Sequence, residues 1–128
     1  KCHPRGNNVA WHVQEAEKLG VKCAVTDQHL DVVLNASDVM FSYGPSNVVL
    51  EQATLGNSHL AVVGDAMAFS FDPVVVKCGA DSTQIANVIR TSLQQPVPDY
   101  QAFVQKYLGV LDGQAYKRIA VWLRELHG

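Results

Sequence analysis

Val39-Met40-Phe41-Ser42-Tyr43-Gly44-Pro45-Ser46-Asn47-Val48-Val49-Leu50-Glu51-Gln52-Ala53-Thr54-Leu55-Gly56-Asn57, with Leu60-Ala61-Val62-Val63 soon after, decides the fold of this chain. Residues 39–42 form a short apolar run bounded by the turn residues 43–46, which suits a buried strand. Residues 47–55 are long enough for a helix and apolar on most sides, so they predict a buried helix that ends at Gly56-Asn57. Residues 60–63 predict the next strand. Two strands joined through a helix run parallel, because a hairpin needs only a few residues.

Outward from this unit the alternation continues. On the amino side, Val9, Val13, Ala16 and Leu19 are spaced for one helix face, and Gly20 stands where a C′ residue closes a helix. Residues 21–26 predict a strand, and Leu30, Val33 and Leu34 a short helix ended by Asn35-Ala36-Ser37-Asp38. On the carboxyl side come a loop over 64–72, a fourth strand over 74–78 and a helix over 82–93. Pro96-Val97-Pro98-Asp99 makes a stiff connection to a helical tail over 99–128, with a break around Gly109 to Gly113. Apolar strands alternating with helices predict an α/β fold: a three-layer, Rossmann-like parallel sheet with helices on both faces. One domain spanning 1–128 is expected.

Bulk properties narrow the function. The chain has 128 residues, 48% hydrophobic and 17% charged, with a formal net charge of −2. That balance offers no footprint for a nucleic-acid backbone, which rewards clustered Lys and Arg. Cys2, Cys23 and Cys78 are too few and too widely spaced for a disulfide framework or a zinc site, so reduced thiols and a cytoplasmic location are expected. No run of about 18 apolar residues is present. The chain opens on Lys1-Cys2-His3-Pro4-Arg5, which has the character of a post-strand loop. An excerpt lacking its first strand is the expectation.

In an open parallel sheet, ligands bind beyond the carboxyl ends of the strands, where helices present N–H groups. The loop from Ser42 to Asn47 has the chemistry for this. Gly44 lets backbone approach a ligand, Pro45 sets the turn, and Ser46 can cap the helix or bond a phosphate oxygen. Asn47-Val48-Val49 carries no carboxylate, which leaves the helix dipole to an external anion. Glu51, about one turn in, can accept from both hydroxyls of a ribose. The bland alternative is a tight turn beside a solvated charge, and the apolar setting of Glu51 weighs against it. His3 can donate to a phosphoryl oxygen or act as acid toward a leaving diphosphate, and Arg5 offers a fork matched to phosphate.

Lys1-x-His3-Pro4-Arg5, then Ala36-Ser37-Asp38-Val39, then Ser42-x-x-x-Ser46-x-x-x-x-Glu51 and Gly56 resemble the carboxyl-terminal half of GT-B-fold glycosyltransferases over residues 1–95. The K-x-H-P-R element is similar to the His-Pro motif of bacterial sialyltransferases and of capsule and teichoic-acid polymerising transferases. The serine-and-glutamate stretch is similar to the donor loop and helix of lipid A disaccharide synthase-like enzymes. Tyr43-Gly44 stands where sialyltransferases carry a second serine.

This resemblance implies a donor-binding domain for a nucleotide-activated sugar, destined for a cell-surface polysaccharide or glycolipid acceptor. His3 would be the catalytic residue at the donor phosphate. Arg5, Ser42, Gly44, Ser46 and Asn47 would bind the donor, and Glu51 would hold its ribose. No metal and no cofactor are expected, the nucleotide sugar being substrate. The implied partner is an acceptor-binding amino-terminal half or subunit, without which this chain alone is expected to be inactive. The scheme admits peripheral membrane association through that half, and a homodimer covering the sheet edge before Lys1. Two other functions compete: a UDP-sugar 2-epimerase-like domain, and a non-catalytic Rossmann-like binding module.

The remaining conspicuous residues have simpler explanations. Trp11 and Trp122 lie on expected helices as packing anchors. His12, His29, His59 and His127 share no metal-ligand spacing, and Asp27 and Asp38 are turn and cap residues. Met67, Phe69 and Phe71 serve equally for a nucleobase or for loop burial.

Overall fold

The computed structural model describes residues 9–43, 46–64 and 72–127. The chain divides into two compact units, Lys1–Ala36 and Ser37–Gly128. The first contains helices α1 (Val9–Lys18) and α2 (Leu30–Asn35). Helix α1 ends as its glycine predicts. Gly20 takes φ 66°, its N–H bonds the Glu17 carbonyl at 3.0 Å, and the Val21 N–H reaches back to Ala16 at 2.9 Å. These are the two reversed bonds of a Schellman motif. In α2, the carboxylate of Asp31 accepts from the Val32 N–H at 2.8 Å and contacts His29 Nδ1 at 2.7 Å. The His29 contact chiefly, helped by the Val32 N–H, holds the Asp31 carboxyl below its ordinary range.

The strand expected over 21–26 does not form. Val21 to Val25 are all exposed and have no ladder partner among the described residues. An apolar run becomes a strand only when a neighbour supplies its hydrogen bonds, and sequence alone cannot supply the neighbour.

The second unit is α/β. Strands β1 (Val39–Tyr43), β2 (His59–Val63) and β3 (Val76–Cys78) form a parallel sheet in the order β1-β2-β3. Val39 pairs with His59 and Tyr43 with Val63, so β1 and β2 begin and end together. The central strand β2 is buried at all five positions, as a strand covered on both faces requires. The strand expected over 74–78 starts late. Asp72 accepts from the Val75 N–H through its carbonyl at 3.0 Å and from the Val74 N–H through its carboxylate at 3.4 Å, a turn that delays pairing until Val76.

Helices α3 (Val48–Leu55), α4 (Ser82–Ser92), α5 (Gln101–Leu108) and α6 (Ala115–His127) complete the unit. Helix α3 connects β1 to β2, packs on both and also meets α5, while α4 packs on β3. The expectation of a helix buried on every side is corrected: α3 buries Val49, Gln52 and Ala53, and exposes Glu51, Thr54 and Leu55. Its contacts lie along one stripe at i, i+3 and i+4 spacing. Gly56, at φ 64°, ends it.

The sheet is tied to α5 by Tyr100 and Phe103, both almost fully buried. The two rings meet edge to face with centroids 6.5 Å apart. Burying a ring such as Phe103 contributes roughly 1.5–3 kcal/mol. The Pro96-to-Pro98 connection is fixed at its start, where His59 Nε2 lies 3.2 Å from the Gln95 carbonyl.

Candidate functional site at the carboxyl end of β1

The parallel register places the carboxyl ends of all three strands along one edge of the sheet. Strand β1 delivers Ser42 and Tyr43 there. Ser42 is buried, while Tyr43 is 84% exposed. Alternation of side chains along a strand explains the contrast. Ser46 and Asn47 then lead into α3. The Ser46 hydroxyl accepts from the Val48 N–H at 3.3 Å, and Asn47 lies in the helical region with its side chain making no cap bond.

The helix end is less bare than its sequence suggests. Val49 N–H reaches the Ser46 carbonyl at 3.4 Å, and both Leu50 and Glu51 N–H groups bond the Asn47 carbonyl, at 2.9 and 3.2 Å. Because α3 begins at Val48, Glu51 also falls within its first turn. The expectation of a first turn without a carboxylate is therefore corrected: the helix starts one residue later than its sequence suggests. What remains adjustable is the long Ser46–Val48 bond, from which an incoming phosphate oxygen could take the Val48 N–H.

Helix α4, after β3, shows the opposite solution. The Asp81 carboxylate accepts from the N–H groups of Thr83 and Gln84 at 2.9 and 3.0 Å. A fixed internal anion already occupies that helix end. Nearby, Gly79 N–H bonds the Gln84 side-chain oxygen at 2.9 Å. Of the two described helices that follow a strand end on this edge, α3 alone is left to a neutral cap.

Of the expected site residues, Ser42, Ser46, Asn47 and Glu51 fall in one strand-turn-helix unit, with Glu51 exposed. Its neighbour Gln52 takes the buried position instead. His3, Arg5 and Gly44 lie outside the described residues, as do Met67, Phe69 and Phe71. Among the described residues no cluster of His, Cys, Asp and Glu could hold a metal ion. Cys23 and Cys78 are free thiols, and burial pushes the Cys78 thiol up from its ordinary range.

Two cavities lie toward the amino edge, away from these residues. One, of about 550 Å³, is bounded by the end of α3, by Tyr100, and by Gln101 and Val104 of α5. The other, of about 360 Å³ and mostly apolar, lies among His59, Val76, Val88 and Pro96. Sequence periodicity missed both, because they are gaps between elements rather than patterns within one. It also missed Tyr100, whose phenol is buried and bonded to the start of β2.

No family model matches the chain, and no curated protein or solved structure is significantly similar to it.

Proposed function

We propose that this chain is the donor-binding domain of a glycosyltransferase, holding a nucleotide-activated sugar at the carboxyl end of β1 for transfer to a polysaccharide or glycolipid acceptor. The finer architecture that goes with it is a three-layer, GT-B-like parallel sheet. The observation that carries the reading is the placement of Glu51. It is an exposed carboxylate in the first turn of α3, directly after a strand and loop that supply Ser42 and Ser46.

In this reading the Val48 N–H and the Ser46 hydroxyl receive a phosphate oxygen, using the partial positive charge of the helix start. Glu51 accepts from the ribose hydroxyls about one turn further along. Its like charge keeps the phosphate from settling over Glu51 and favours the strand side of the turn. His3 and Arg5 keep, within this proposal, the phosphate roles that the resemblance implies for them. His3 would donate a proton or hydrogen bond as the leaving group gains charge, and Arg5 would pair with two oxygens at once.

The test is calorimetric titration of the chain with UDP-, CMP-, GDP- and CDP-linked sugars. One nucleotide class is expected to bind, and Glu51→Ala to weaken it by about 1–3 kcal/mol while leaving the fold intact. His3→Ala is expected to weaken the sugar nucleotide more than the bare nucleoside. Binding unchanged by Glu51→Ala, or no binding of any class, would sink the reading.

A further inference from the structure

We infer that α6 is a membrane-surface helix that lays its apolar side onto an anionic lipid bilayer. This inference stands apart from the donor site and does not rest on it. Helix α6 separates apolar from polar residues more sharply than α1, α3, α4 or α5. Wound at 3.6 residues per turn, Tyr116, Ile119, Trp122, Leu123 and Leu126 share one side. These five side chains are between 45% and 65% exposed.

Charge says what covers them. Of the chain's 10 Lys and Arg, three (Lys117, Arg118 and Arg124) sit on α6, against one (Glu125) of its 12 Asp and Glu. In a chain of net charge −2, this helix is cationic. Arg118 is tied to Asp112, at 2.8 Å from both carboxylate oxygens. Lys117 and Arg124 lie on the arc opposite the apolar side. An apolar side holding Trp, Tyr and Leu, with a basic polar side, is the composition of helices that lie in the interfacial plane of a bilayer.

Length and charge exclude the other arrangements. The 13 residues of α6 span about 20 Å, short of the roughly 30 Å hydrocarbon core. No described helix is long and apolar enough to cross a membrane. Anionic headgroups attract the basic polar side, an attraction that a second copy of the same helix does not offer. Five side chains are also few beside the roughly 20–30 residues that each partner gives a stable protein interface.

The experiment is co-sedimentation of the full chain with vesicles of phosphatidylcholine alone, and with an equal mixture of phosphatidylcholine and phosphatidylglycerol. The chain is expected to pellet with the mixed vesicles at low salt and to be released by high salt. In a Trp11→Phe background, Trp122 emission is expected to shift to the blue on the same vesicles. Replacing both Lys117 and Arg124 by Gln should weaken binding about tenfold or more. Replacing both Trp122 and Leu123 by Ser should abolish it. Those four positions are exposed, so unchanged circular dichroism is expected of both variants. Three outcomes overturn the proposal: no pelleting with the anionic vesicles, equal pelleting with neutral ones, or a dimer that the Trp122 and Leu123 variant cannot form. The last would assign the face to a second copy of the chain.

Discussion

The phenol of Tyr100 donates a hydrogen bond to the carbonyl of Ser58, 42 residues earlier, at 3.0 Å. The same oxygen accepts from the Leu60 N–H at 3.2 Å. One buried side chain thus satisfies two backbone groups flanking the first residue of β2, the central strand. Replacing Tyr100 by Phe keeps the ring and orphans both groups. We expect a loss of about 1–3 kcal/mol in urea unfolding. A loss below about 0.5 kcal/mol would mean that water reaches the vacated partners.

The same phenol predicts an alkaline limit. Burial, the larger cause, pushes its pKa above the ordinary value of 10.0, although the Leu60 N–H pulls the other way. A pKa raised on folding contributes stability that is fully present below the unfolded value and lost as pH rises through the folded one. An alkaline titration of the folded signal should therefore show a step above pH 10 that Tyr100→Phe lacks. A step of equal size in that variant would assign it to other groups.

Glu51 and Gln52 are adjacent and should respond in opposite ways. Gln52 is fully buried and its amide donates to Asn57 Oδ1 at 2.6 Å, but its own Oε1 has no partner among the described residues. Gln52→Met fills similar space without the orphaned oxygen, and should raise stability by about 1 kcal/mol in thermal unfolding. Glu51→Ala should stay within about 0.5 kcal/mol of the parent, because Glu51 is exposed. A marked loss for Gln52→Met would show that the bond to Asn57 outweighs the orphaned oxygen.

Acid should loosen the start of α6. Arg118 grips both oxygens of Asp112, and the Gln114 N–H bonds one of them at 2.9 Å. Arg118 chiefly, then Gln114, holds the Asp112 carboxyl below its ordinary 3.8. A depressed carboxylate contributes stability that is present above the unfolded value and lost as pH falls through the folded one. The pair is solvent-exposed, so the effect is small and screened by salt. Amide chemical shifts of residues 112–118 should report it below pH 3.8, and Asp112→Asn should remove the pH dependence. A dependence that survives this substitution would place its origin elsewhere.

Much of both units was legible in the sequence. The β1-α3-β2 order followed from short apolar runs separated by a longer one, and Gly20 and Gly56 marked helix ends because each takes a positive φ. The placement of Ser42, Ser46 and Glu51 on one strand-turn-helix unit followed from the same pattern. The start of α3 did not, because a helix boundary depends on which carbonyl closes the first turn. That single residue moved Glu51 into the first turn.

By itself, then, the sequence determined the element order and parallel class of residues 39–63, the helices on either side, and the absence of a basic footprint for nucleic acid. These depend on local spacing and composition, which a linear chain carries. Only the tertiary structure decided that residues 21–26 form no strand, that Gln52 rather than Glu51 is buried, that Tyr100 braces β2, and that the apolar side of α6 lies open. Each of these depends on which distant backbone or side chain arrives as a neighbour. Burial and ladder pairing are properties of the meeting of two segments, and neither segment alone encodes them.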